Sequence, residues 1–188
     1  MFLHMRRSDR HQGTMTIDRA GTAIRPLERH HLSAALEIQA LAYPAALLEH
    51  ERAFASRITL AGSCCLAATR DGVLIAYLLA HAWPSRAPPS IGNVLADPVV
   101  GEVLFIHDLA VSLTGRGTGV GRQLVLRAFD LAARDGLERA ELIAVEGAAG
   151  YWQRLGFTSP EVPAESAGKV AAYGAAARWM ERDIERRN

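Results

Sequence analysis

The run Leu109-Ala110-Val111-Ser112-Leu113-Thr114-Gly115-Arg116-Gly117-Thr118-Gly119-Val120-Gly121-Arg122 constrains the fold more than any other part of the chain. An apolar strand passes straight into a Gly-rich turn, and an amphipathic helix starts at about Gly119. A turn stripped of side chains lets several backbone N–H groups point at one place. The helix start adds unpaired N–H groups and the positive end of its dipole. Together these make an anion site, most often for phosphate. The spacing narrows the choice. A dinucleotide fingerprint needs Gly-x-Gly-x-x-Gly, but counting from Gly115 the sixth position is Val120, and from Gly117 it is Arg122. The nucleoside-triphosphate run Gly-x-x-x-x-Gly-Lys-Ser/Thr is absent. What stands here is Arg-x-x-Gly-x-Gly, as Arg116, Gly119 and Gly121. Glycine is costly at a helix start unless backbone must approach something closely.

A chain of 188 residues suits one domain with a sizeable core, and 49% apolar with 22% charged residues is ordinary for a globular protein. The net charge of +1 points to neither nucleic acid nor an anionic membrane surface. The longest apolar run, Val73 to Ala82, is too short to span a bilayer. Residues 1–20 have basic side chains but no apolar h-region, and read as a disordered tail or as sequence upstream of a start at Met15. Residues 21–188 form the domain. The two cysteines, Cys64 and Cys65, are adjacent, so their Cβ atoms point to opposite strand faces and a disulfide between them is disfavoured. Reduced, buried thiols fit a cytoplasmic protein.

Hydrophobic spacing predicts a strand over Thr22–Glu28, helices over His30–Leu41 and Leu47–Thr59, and a hairpin of Cys64–Thr69 and Val73–Ala82 around Asp71-Gly72. Pro84 to Pro98 carries four prolines and reads as an irregular loop of functional length. A central strand follows over Glu102–Val111, then the helix Gly119–Arg134 ended by Asp135-Gly136. A buried strand over Ala140–Val145, a short helix over Ala148–Leu155, a strand starting at Phe157 and a last strand over Ala176–Ile184 complete the chain. The order is β-α-α-β-β-β-α-β-α-β-β: an α/β domain with a mixed, twisted sheet of about six or seven strands and helices on both faces.

The Arg116–Gly121 turn resembles the acyl-CoA diphosphate loop of the GNAT superfamily of N-acyltransferases, and the element order is also the order of that fold. Tyr151-Trp152-Gln153-Arg154-Leu155-Gly156-Phe157 is similar to the family's second motif, and Tyr173-Gly174 with Trp179-Met180-Glu181 to its closing strand. The likeness covers about Thr22 to Ile184. It implies acetyl-CoA as cofactor, bound by Leu109, Ala110 and Val111 along the pantetheine arm and by Arg116, Gly117, Thr118, Gly119, Val120, Gly121 and Arg122 at the diphosphate. Trp152 stands where the family often has the Tyr that protonates the leaving thiolate. An indole has no acid function near neutral pH. Tyr151, one position away, is expected to point elsewhere, so the proton comes from water or another Tyr, or the thiolate leaves unaided.

Acyl transfer to an amine needs a neutral amine, a polarised carbonyl and the two held together. His107 is the candidate base. His107-Asp108-Leu109-Ala110-Val111 resembles the arylalkylamine N-acetyltransferases, in which a His takes this place, and an imidazole titrates near neutrality. The alternative is a structural His satisfied within the sheet. Asp108 is expected on the opposite face, in a capping or water-chain role. Backbone N–H groups of Ala110 and Val111 are the expected carbonyl polarisers. Tyr43 and Leu47, between the first two helices, lie where the family forms its acceptor site. His81 and Trp83 are candidates for an aromatic wall, and Glu102 for contact with a cationic substrate. No metal site is expected, because His30 and His31 point apart on a helix and have no partners at ligand spacing.

These readings converge on an acetyl-CoA-dependent N-acetyltransferase that acts directly on a primary amine of a small molecule, without nucleic acid or membrane. Dimers are common in such folds, so a homodimer is an expectation. The rival readings are a protein N-terminal or lysine acetyltransferase, and a non-catalytic acyl-CoA-binding module.

Overall fold

The computed structural model of the chain describes residues 16–17, 21–97, 100–162 and 164–185. Seven strands lie side by side in chain order: β1 (Thr16–Ile17), β2 (Thr22–Pro26), β3 (Leu66–Arg70), β4 (Val73–Trp83), β5 (Val103–Val111), β6 (Arg139–Ala144) and β7 (Arg178–Asp183). All neighbours pair antiparallel except β5 with β6. The helices are α1 (Leu32–Ala42), α2 (Glu51–Thr59), α3 (Val120–Arg134), α4 (Ala149–Arg154) and α5 (Ala167–Ala172).

The sheet is apolar on both sides because both sides are covered. Ala76, Leu78 and Ala80 of β4 and Leu104 and Ile106 of β5 pack on Val120, Leu124, Val125, Ala128 and Phe129 of α3. Tyr77 and Leu79 face the other way, onto Ala35 and Ile38 of α1 and Phe54 of α2. A third cluster joins Phe105 to Trp179 and to Val170 of α5. Cys64 and Cys65 fall into opposite layers, both buried and both free thiols.

Four local expectations change. Thr16–Ile17, placed in the expected tail, pair with β2; the remainder of 1–20 lies outside the described residues. The second helix starts at Glu51, because Pro44 is followed by a 3-10 turn and an extended link, and the His50 ring caps α2 by accepting from Ala53 N–H. Phe157 begins no strand; only Thr158 bridges to Glu181 of β7. The segment left unassigned before β7 contains α5, a short Ala-rich helix whose pattern is too brief to stand out.

Two irregularities of β5 create the site. Leu79 pairs with Asp108 but Ala80 pairs with Ile106, so His107 is the extra residue of a β-bulge. The parallel pairing with β6 ends at Ile106–Leu142, although β5 runs on to Val111. A bulge bends and twists its strand. Beyond His107 the two strands part, and a wedge opens between them.

Candidate active site

The wedge is a cavity of about 710 Å3 lined by Ile106–Val111 of β5, Leu142, Ile143 and Val145, the Gly turn before α3, and Tyr151 and Trp152 of α4. Its floor at one end is the Gly turn. Gly117 (φ +75°) and Gly119 (φ +80°) hold left-handed backbone, which an L side chain adopts only at a cost of roughly 1–2 kcal/mol. Gly115 is needed for space: a Cβ there would sit 2.8 Å from the Ile75 carbonyl oxygen and 2.9 Å from Val111 Cγ1. Arg116 N–H is taken by Ser112, and Thr118 N–H and hydroxyl by the Gly115 carbonyl. Among the described residues no acceptor takes the N–H groups of Gly117, Gly119, Val120, Gly121 or Arg122. These donors, the start of a 15-residue helix and the side chains of Arg116 and Arg122 meet at one wall of the cavity. That donor set fits a diphosphate.

The opposite end carries the titratable groups. The bulge overturns the expectation that Asp108 faces away from His107. The extra residue resets the alternation, so His107, Asp108 and Ala110 share the face toward α1 and α2. Asp108 Oδ2 accepts from Tyr77 Oη at 2.5 Å and from Gln39 Nε2 at 3.4 Å, while Oδ1 is buried without a partner. Burial pushes the Asp108 carboxyl up, against the pull of hydrogen bonds from Tyr43 and Tyr77. Burial and the Asp108 charge hold the Tyr43 and Tyr77 phenols well above their usual range. Tyr43 Oη donates to the Leu109 carbonyl at 2.9 Å.

His107 Nε2 lies 3.1 Å from Glu49 Oε1, with both side chains 4% exposed. The same oxygen accepts from Arg57 Nη2 at 2.6 Å and from Gly92 N–H at 2.9 Å. Burial works against the Glu49 charge, but the His107 hydrogen bond and the His107 and Arg57 charges outweigh it and hold the carboxyl below its usual range. No sequence signal marks this array. Arg57 is eight residues from Glu49, not a helical i,i+4 partner, and Glu49 sits in the extended link before α2.

Of the residues anticipated from sequence, His107, Leu109, Ala110, Val111, Arg116, Gly117, Gly119, Val120, Gly121, Arg122, Trp152, Tyr43 and Leu47 line the cavity. Thr118 is turned back onto Gly115. His81, Trp83 and Glu102 form no wall. His81 is fully buried against Trp83 and Phe105, Trp83 donates its indole N–H to the Ala87 carbonyl, and Glu102 accepts from Ser85 N–H. Tyr151 of α4 also differs from expectation. Trp152 packs against Phe157 with one part in the cavity lining, and Tyr151 stands beside it there, its hydroxyl 3.0 Å from where a Gly121 Cβ would be. That hydroxyl is buried and without a partner, and burial raises its pKa.

A family model described as the acetyltransferase (GNAT) family matches residues 32–157, more than half of the chain. The chain belongs to that family: it is an N-acetyltransferase, with acetyl-CoA as its acyl donor. Its fold is shared with the ribosomal-protein-S18-alanine N-acetyltransferase of Escherichia coli (19% identity, TM-score 0.64, covering 89% of this chain and 96% of that one). It is shared equally with Arabidopsis thaliana Naa50 in complex with a bisubstrate analogue (13%, TM-score 0.62, 86% and 97%). Rv2747 of Mycobacterium tuberculosis in complex with CoA also matches (17%, TM-score 0.65, 86% and 99%). No curated protein sequence matches the chain. Among the described residues no helix is long and apolar enough to cross a membrane.

Proposed function

We propose that the chain, in the cytoplasm, transfers an acetyl group directly to the primary amine of a small, partly apolar molecule. Acetyl-CoA, when bound, supplies the acyl group as an activated thioester. The N–H groups of Gly117, Gly119, Val120, Gly121 and Arg122, with the side chains of Arg116 and Arg122, hold the diphosphate, and the free edge of β5 from Leu109 to Val111 holds the pantetheine arm. The fit rests on the unclaimed donors of the turn and on the wedge that β6 leaves open. His107 takes the amine proton at Nδ1, which is buried and free of any partner. Tyr151 holds a proton at Oη at ordinary pH, since its pKa is raised, and gives it up to the departing thiolate.

The observation that carries the small-molecule reading is the loop before β5. It is tied across the Glu49 end of the cavity by Gly92 N–H to Glu49, Leu95 N–H to Ser56 Oγ and Tyr173 Oη to the Pro89 carbonyl. Ile91 and Tyr173 then stand in the cavity wall, where an extended peptide would need a groove. A thiol-release assay with a panel of small alkyl and arylalkyl amines beside peptides with free N-termini tests this. Turnover with small amines, lost in His107→Ala, is expected. Turnover with peptides alone, or none with any amine, overturns it.

A further inference from the structure

The bulge that frees His107 from the β ladder also leaves its ring without backbone constraint, so something else must hold it. The charged and titratable groups around the ring come from five elements: Glu49 from the link before α2, Arg57 from α2, His81 from β4, Asp108 from β5 and Tyr173 after α5. Of these, Glu49 alone is within hydrogen-bond distance, at 3.1 Å from Nε2. Glu49 is itself fixed from three sides. Arg57, fully buried and anchored on the Ala53 carbonyl at 2.5 Å, grips Oε1, Gly92 N–H grips the same atom, and Gln39 Oε1 takes the Glu49 N–H at 3.1 Å. An ionised carboxylate accepts and cannot donate, so the imidazole nitrogen facing it must carry the proton. Nδ1, with no partner, is then the nitrogen with the lone pair.

We propose that Glu49 is a positioning residue: its carboxylate receives the Nε2–H of His107, fixes the tautomer and leaves Nδ1 to take the proton of the acceptor amine. This deepens the reading in which His107 is the base, and rests on it. Arg57 serves the pair by keeping Glu49 in place. The loop takes part through Gly92, so the same carboxylate that orients the ring also anchors the segment across the acceptor end.

The test is the imidazole 15N spectrum of the full chain, with the His107 signals identified by their loss in His107→Gln. Wild type is expected to show neutral His107 only as the Nε2–H form. An Nδ1–H form in wild type overturns the proposal without any variant. Glu49→Leu alone leaves Arg57 buried and unpaired, which threatens folding, so Glu49→Leu is combined with Arg57→Met to remove both charges. In that double variant the single tautomer is expected to give way to a mixture, and kcat to fall about 100-fold while KM for acetyl-CoA holds. Unchanged kcat with an unchanged tautomer overturns the proposal. A fully active His107→Gln enzyme refutes instead the base assignment beneath it, and does so whatever the tautomer spectrum reads.

Discussion

Replacing Gly121 by Ala separates what the Gly turn does for the fold from what it does for the cofactor. Gly121 is the second residue of α3 and does not hold left-handed backbone. Alanine there gains roughly 0.5–1 kcal/mol of helix stability. The new Cβ would stand 3.0 Å from Tyr151 Oη, 3.5 Å from Val111 Cγ2 and 3.7 Å from Leu109 Cδ2, so only the hydroxyl end of one side chain must yield by a few tenths of an ångström. The fold should therefore lose nothing and gain at most about 1 kcal/mol, or about 2–4 °C in Tm for a chain of this size. The methyl, however, pushes on the Tyr151 hydroxyl and narrows the cavity that the unclaimed N–H groups line. Loss of one charge-assisted hydrogen bond to the diphosphate costs about 1.5–3 kcal/mol, which raises Kd for CoA roughly 10- to 100-fold. Titration calorimetry with CoA and a melting scan on one preparation read both quantities. Gly119→Ala is the control: its Cβ meets nothing within 4 Å, but φ of +80° should cost about 1–2 kcal/mol and lower Tm. A Gly121→Ala protein that melts like wild type and binds CoA with unchanged Kd would falsify the placement of the diphosphate on this turn.

Further outcomes follow from single buried groups. Tyr151→Phe removes a partnerless buried hydroxyl, so Tm should hold or rise slightly while kcat falls about 10- to 100-fold in the thiol-release assay; full activity rules out Tyr151 as the proton source. Burial lowers the His81 pKa from 6.5 to about 3, so the unfolded chain binds the proton more readily and stability is lost as pH falls from 6.5. At about 1.4 kcal/mol per unit the loss approaches 5 kcal/mol near pH 3. Chemical denaturation across that range should show His81→Leu with a flatter acid limb, and an identical slope counts against the assignment. Burial raises the Asp108 carboxyl instead, so its contribution is fully present below the ordinary value of 3.8 and is lost as pH rises above it. The Tm of Asp108→Asn should climb relative to wild type as pH rises above 3.8, and a constant offset contradicts this.

Much of the site was legible where chemistry is carried by backbone and by short-range pattern. The Gly turn can be read because Gly117 and Gly119 adopt positive φ and Gly115 must admit neighbouring backbone, demands that glycine meets without strain. α3 can be read because its apolar residues recur at helical spacing over 15 residues. At the other end of the cavity His107, Tyr43 and Leu47 were anticipated, but the array around His107 was not legible. Gln39, Glu49, Arg57, Tyr77 and His107 converge from α1, a non-helical link, α2, β4 and β5, and no local spacing encodes that meeting. The place of Tyr151, beside Trp152 in the cavity lining, was not legible for a related reason. A six-residue helix carries too little periodicity to orient itself, and burial of the larger, drier Trp152 ring against Phe157 decides its rotation.

The sequence by itself determined the family, the order of most of the elements and the glycine turn between β5 and α3. All of these follow from residue type at fixed chain spacing. Only the tertiary structure decided which faces meet. One extra residue in β5 turns His107 and Asp108 to the same side, and a bulge is set by the register between two strands rather than by either strand alone. The β5–β6 ladder ends at Ile106, and there the cavity beside His107 opens.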